Sequence, residues 1–73
     1  MNLESAPSKQ ELEILSINES KLMESAMRFG IEAGEIIHIV TKLPGGPIVI
    51  QKKNQQIAIG RELAKEIEVK LLS

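Results

Sequence analysis

Proline and glycine cut this chain into pieces that suit a β-rich fold better than any other. The run Leu43-Pro44-Gly45-Gly46-Pro47 must be a loop, because proline removes a backbone donor and paired glycines favour turns. Gly30, Gly34 and Gly60 add further breaks. The stretches between are short and aliphatic. Glu35 to Lys42 reads EIIHIVTK, with Ile36, His38 and Val40 on one parity and Ile37 and Ile39 on the other. Its β-branched residues favour a pleated strand. IVIQ follows Pro47, Lys52 to Gln55 form a tight polar turn, and QIAI returns, so residues 48 to 59 read as a β-hairpin. Asn54 is the residue of that turn expected at positive φ.

The flanks complete the pattern. Residues 1–9, with Ser5, Ala6, Pro7 and Ser8, read as an extended, turn-like or loosely ordered lead-in. In QELEILSI, Leu12 and Ile14 alternate with Glu11 and Glu13, while Leu15 and Ile17 fall on the opposite parity. That strand is therefore either bulged or covered on both faces. A helix is predicted next, capped by Asn18 or Ser20, with Leu22, Met23, Ala26 and Met27 on one apolar face. Phe29 tucks under its end, and Gly30 stops it in a left-handed conformation. GRELAK, from Gly60, makes a short helix, and EIEVKLL then alternates as a last strand with Ile67, Val69 and Leu71 on one face. The expected fold is mainly β with short helices. About five short strands form a small closed or nearly closed barrel, with one helix after the first strand and another before the last.

Composition narrows what such a domain does. With 73 residues there is room for one domain, 1–73, and a thin core. Formal charge is −1, which supplies no basic patch for nucleic acid. Cysteine is absent, which removes disulfides, thiolate metal sites and cysteine nucleophiles, and favours the cytosol. Neither a signal peptide nor a bilayer-spanning run is visible, so direct membrane insertion is not expected. Phe29 is the single aromatic, too little for the platforms that grip proline-rich peptides or single strands.

Candidate sites are few. His38, the one histidine, is a possible iron ligand or an ordinary strand-face histidine with a hydrogen bond. Glu32 and Glu35 flank Gly34 and read either as part of a weak oxygen-only cation site or as a solvated acidic turn. Gly45-Gly46 lacks the Gly-Lys-Ser/Thr ending of a phosphate loop, but such loops also carry binding contacts. Lys52 and Lys53 read as a solubilising hairpin tip. Arg61 either pairs with Glu62 or Glu66 or contacts a partner. Met23 and Met27 either fill the core or present an adaptable docking face with Leu22. The sequence contains no catalytic constellation, so neither enzyme activity nor a cofactor is expected.

From Leu22 to Leu71 the chain resembles the ferrous iron transport protein A (FeoA) family and the related C-terminal domains of metal-dependent repressors. The likeness is carried by Phe29-Gly30-Ile31-Glu32-Ala33-Gly34, Pro44-Gly45-Gly46-Pro47-Ile48, Ile57-Ala58-Ile59-Gly60-Arg61-Glu62-Leu63-Ala64 and Ile67-Glu68-Val69, in that order. Ala33 stands where the family usually has proline, Ser8 where glycine often follows the N-terminal proline, and Asn54 where the hairpin often has glycine. The resemblance implies an SH3-like barrel. It also implies a cytosolic accessory protein of bacterial ferrous iron uptake that binds the GTPase part of the membrane transporter FeoB. On this reading Leu22, Met23, Met27, Pro44, Gly45, Gly46, Pro47 and Arg61 are the expected partner contacts. The alternative is an Fe(II)-binding sensor or carrier, using His38, Glu32 and Glu35. Self-association and a DNA-binding partner chain stay open.

Overall fold

The computed structural model describes residues 1–18 and 30–72. Among the described residues the strands are β1 (Glu11–Ile17), β2 (Ile36–Lys42), β3 (Ile48–Lys52), β4 (Gln55–Ile59) and β5 (Ile67–Leu71), with one short helix, α1 (Arg61–Ala64), before β5. They form a single sheet in the order β4-β3-β2-β1-β5. All neighbours run antiparallel. The helix expected after β1, with Leu22, Met23, Met27 and Phe29, lies outside the described residues. Gly30 has the left-handed φ of +77° expected of it. Among the described residues, no helix is long and apolar enough to cross a membrane.

Alternation explains the core. Each strand sends two residues inward at i and i+2: Leu12 and Ile14, Ile37 and Ile39, Ile48 and Ile50, Ile57 and Ile59, Ile67 and Val69. Leu3, Ala6, Ile31 and Ala64 fill the rest from the connections. The sheet bends round this core at two register shifts, between Ile14 and Ser16 in β1 and between Ile39 and Thr41 in β2. Bulges sharpen bend and twist. The first settles the parity change in β1: Leu15 is the extra residue and lies 45% exposed.

Among the described residues the sheet does not close into a barrel. β4 and β5 are the two ends of the sheet order. The chain passes from one to the other through α1, whose Ala64 is fully buried with Leu63 packed beside it. A helical turn sits on this connection where direct strand pairing would complete a ring. The outer edge of β5 is covered differently. Asn2 bridges Glu68, Leu3 N donates to Ile67 O at 2.8 Å, and Val69 N donates to Met1 O at 2.8 Å. The lead-in is thus packed, not loosely ordered, and it hides an edge that would otherwise invite foreign strands. Ser5 N donates to Asn2 Oδ1 at 3.0 Å, an Asx-type turn that aims Leu3 and Ala6 at the core.

The hairpin falls where expected, with Lys52 opposite Gln55. Its left-handed residue is Lys53 (φ +55°), not Asn54. A two-residue hairpin loop with positive φ at its first position prefers glycine there. The left-handed conformation costs an L-residue about 1–2 kcal/mol, and glycine returns part of that as unfolded-state entropy. Lys53→Gly is therefore expected to stabilise the fold by about 0.5–1 kcal/mol in urea denaturation. Destabilisation would show that the side chain, not the backbone, governs this turn.

Candidate docking site

The β2–β3 connection is built to be rigid. Gly46 N donates to Leu43 O at 2.8 Å, closing a four-residue turn, and Leu43 N donates to Pro47 O at 3.2 Å. Pro44 suits the second position of that turn, and Gly45, at φ +68°, supplies the left-handed third. A Cβ on Gly46 would lie 3.2 Å from Leu43 Cβ, so the loop folds tightly over itself. Leu43 nevertheless leaves 46% of its surface exposed, beside exposed Pro44 and Gly45.

Arg61, the first residue of α1, holds this loop from the far side. Its Nε donates to Gly46 O at 2.8 Å and its Nη2 to Leu43 O at 2.9 Å. Nη1 lies 3.9 Å from Glu4 Oε2. Lys42 Nζ donates to the Glu4 backbone oxygen at 2.8 Å. Pro44, Gly45, Gly46, Pro47 and Arg61 are thus brought together as one structural unit. Arg61 pairs with Glu4 and the loop carbonyls, in place of the expected Glu62 or Glu66. Glu4 and Lys42 carry no local signal of this role, since the first lies 38 residues before the second in the chain. Leu22, Met23 and Met27 lie outside the described residues.

The metal candidates are distributed differently. Glu35 Oε1 lies 3.4 Å from Lys52 Nζ, which also donates to Gly30 O. Glu32 is exposed in the turn closed by Glu35 N to Glu32 O at 3.2 Å. His38 is half-buried on β2, opposite Glu11 on β1 and Gln51 on β3. Among the described residues no group of three or more His, Cys, Asp or Glu side chains is placed to hold a metal ion. Lys52, with its side chain 16% exposed, is not a solvated tip but a staple between the end of β3 and residues 30–35.

Comparison with known proteins gives this architecture relatives. No curated protein matches the chain. The solution structure of iron(II) transport protein A from Clostridium thermocellum is 31% identical, with a TM-score of 0.90. The match covers 99% of this chain and 46% of that one, so this chain spans less than half of that relative. A FeoA-like protein from Clostridium acetobutylicum is 28% identical, with a TM-score of 0.87 over 100% of this chain and 87% of that one. The zinc complex of Stenotrophomonas maltophilia FeoA, described as a procaryotic SH3 domain protein, has a TM-score of 0.80 over 96% and 89% of the two chains. At 22% identity it shows the fold alone, which is SH3-like. The FeoA domain family itself matches residues 1–71, from the packed lead-in to the end of β5. This chain therefore belongs to the FeoA domain family.

Proposed function

We propose that this chain is a small cytosolic accessory protein of ferrous iron transport that works by docking, not by catalysis. Its partner is the cytosolic GTPase part of the membrane transporter FeoB, whose transport it regulates. Family membership supports the role in ferrous iron transport. The observation that carries the docking step is the preorganised Leu43–Pro47 loop. Its shape is set before any partner arrives, and its first residue, Leu43, lies 46% exposed beside exposed Pro44 and Gly45. A rigid surface loses little conformational entropy on binding, and burial of Leu43 then contributes its apolar area to the interface. Leu22, Met23 and Met27 are the second proposed contact, as adaptable apolar side chains.

Titration of the ¹⁵N-labelled chain with nucleotide-loaded FeoB cytosolic domain tests this reading. Amides of Leu43, Gly45 and Gly46 are expected to shift, and Leu43→Asp to weaken binding at least about tenfold while leaving the fold intact. A spectrum that stays unchanged at high partner concentration overturns it.

A further inference from the structure

We infer that Arg61 is the positioning residue of the Leu43–Pro47 loop, and that Glu4 of the N-terminal segment locks it in place. The docking reading above supplies the use of the loop; the positioning itself is argued from contacts within this chain.

The geometry needs a guanidinium. Two of its nitrogens donate to backbone carbonyls, Nε to Gly46 O at 2.8 Å and Nη2 to Leu43 O at 2.9 Å, and the third, Nη1, forms an ion pair 3.9 Å from the Glu4 carboxylate. The two carbonyls are the polar ends of the turn that Pro44 and Gly45 make. Leu43 O also accepts from Gly46 N, so one oxygen carries both the turn's own bond and the bond to α1. Planar, fixed donors reach such a set together; a lysine ammonium is a point donor that reaches one or two of them. Glu4 is itself held, because Lys42 Nζ donates to its backbone oxygen at 2.8 Å. The chain thus connects three distant segments, the lead-in, the β2–β3 loop and α1, through one side chain. These bonds turn the guanidinium toward the loop, while the side chain stays 31% exposed.

Amide hydrogen exchange of the full chain, with and without the FeoB cytosolic domain, tests this. In the free protein Arg61→Lys is expected to speed exchange at Gly46 about tenfold or more, while Ile39 and Ile50 stay within about twofold. Glu4→Gln keeps both carbonyl bonds and is expected to give a smaller rise at the same amide, which preserves the test should Arg61→Lys fold poorly. Affinity for the FeoB domain should fall in both variants in the same order. Unchanged Gly46 exchange in both variants overturns the inference. An Arg61→Lys protein that exchanges faster at Gly46 yet binds like the parent supports the positioning role and counts against docking through this loop. Leu43→Ala separates the two readings. If it binds like the parent while Arg61→Lys still loosens the loop, the docking reading fails and the positioning role stands.

Discussion

Leu3→Ala is expected to destabilise the fold by about 2–5 kcal/mol, the range for emptying a fully buried aliphatic site. Leu3 is 0% exposed and packs with Ala6 into the same core as the strand residues. Its amide is also bonded to Ile67 O at 2.8 Å, so the side chain is held where a collapse into the void is difficult. A chain of 73 residues has a total stability of about 4–11 kcal/mol at typical values per residue. The substitution therefore removes a large fraction of it and moves the urea midpoint well down at unchanged slope. Leu15→Ala, at the exposed bulge of β1, is the companion measurement, expected to stay within about 0.5 kcal/mol of the parent. Equal, small effects at both positions would show that the N-terminal segment does not share the core.

Lys52→Ala is expected to cost about 1–2 kcal/mol and to loosen the connection into β2. The ammonium donates to Gly30 O and lies 3.4 Å from Glu35 Oε1, with Lys52 16% and Glu35 26% exposed. Hydrogen bonds to charged groups contribute about 1.5–3 kcal/mol. The lower figure applies here because water reaches the Glu35 carboxylate and screens the pair. The same residues hold β1 in place: Gly34 N donates to Ile14 O at 2.7 Å and Ile14 N donates to Glu35 O at 3.0 Å. Amide exchange at Gly34 is thus expected to rise with the loss of the staple, and Lys53→Ala to leave it unchanged. A Lys52→Ala protein with parental stability and parental Gly34 exchange would return Lys52 to the role of a solubilising tip.

Both predictions concern residues whose neighbours in the chain say little about them. Nothing near Leu3 forms a periodic pattern. Its place in the core is fixed by the bond of its amide to Ile67 O on β5, far along the chain. Lys52 looks like half of a basic hairpin end because Lys53 follows it. Its partner Gly30 lies 22 residues earlier and meets it only after β2 and β3 have paired. Arg61 has Glu62 next to it on α1 and Glu66 just beyond, yet its guanidinium bonds Gly46 O and Leu43 O and pairs with Glu4. In each case the local guess is reasonable chemistry with the wrong partner.

What residues adjacent in the chain settle by themselves is considerable. Alternation at period two names the inward pairs of β1 and β5, Leu12 with Ile14 and Ile67 with Val69, while the mostly apolar runs of β2 to β4 leave the inward parity to the packed sheet. The Pro-Gly-Gly-Pro run and the polar Lys52–Gln55 turn place the breaks between β2, β3 and β4. Such features are steric and local, set by side-chain parity and by which residues tolerate a given φ. The choice of Lys53 over Asn54 for the left-handed position, the open seam between β4 and β5, the cover that Met1 to Leu3 make for the β5 edge, and the grip of Arg61 on the loop are decided only in three dimensions. They depend on sheet twist, on which edge is left free and on acceptors delivered by remote segments. No spacing along the chain encodes them, because the distances that matter exist only once the sheet has formed.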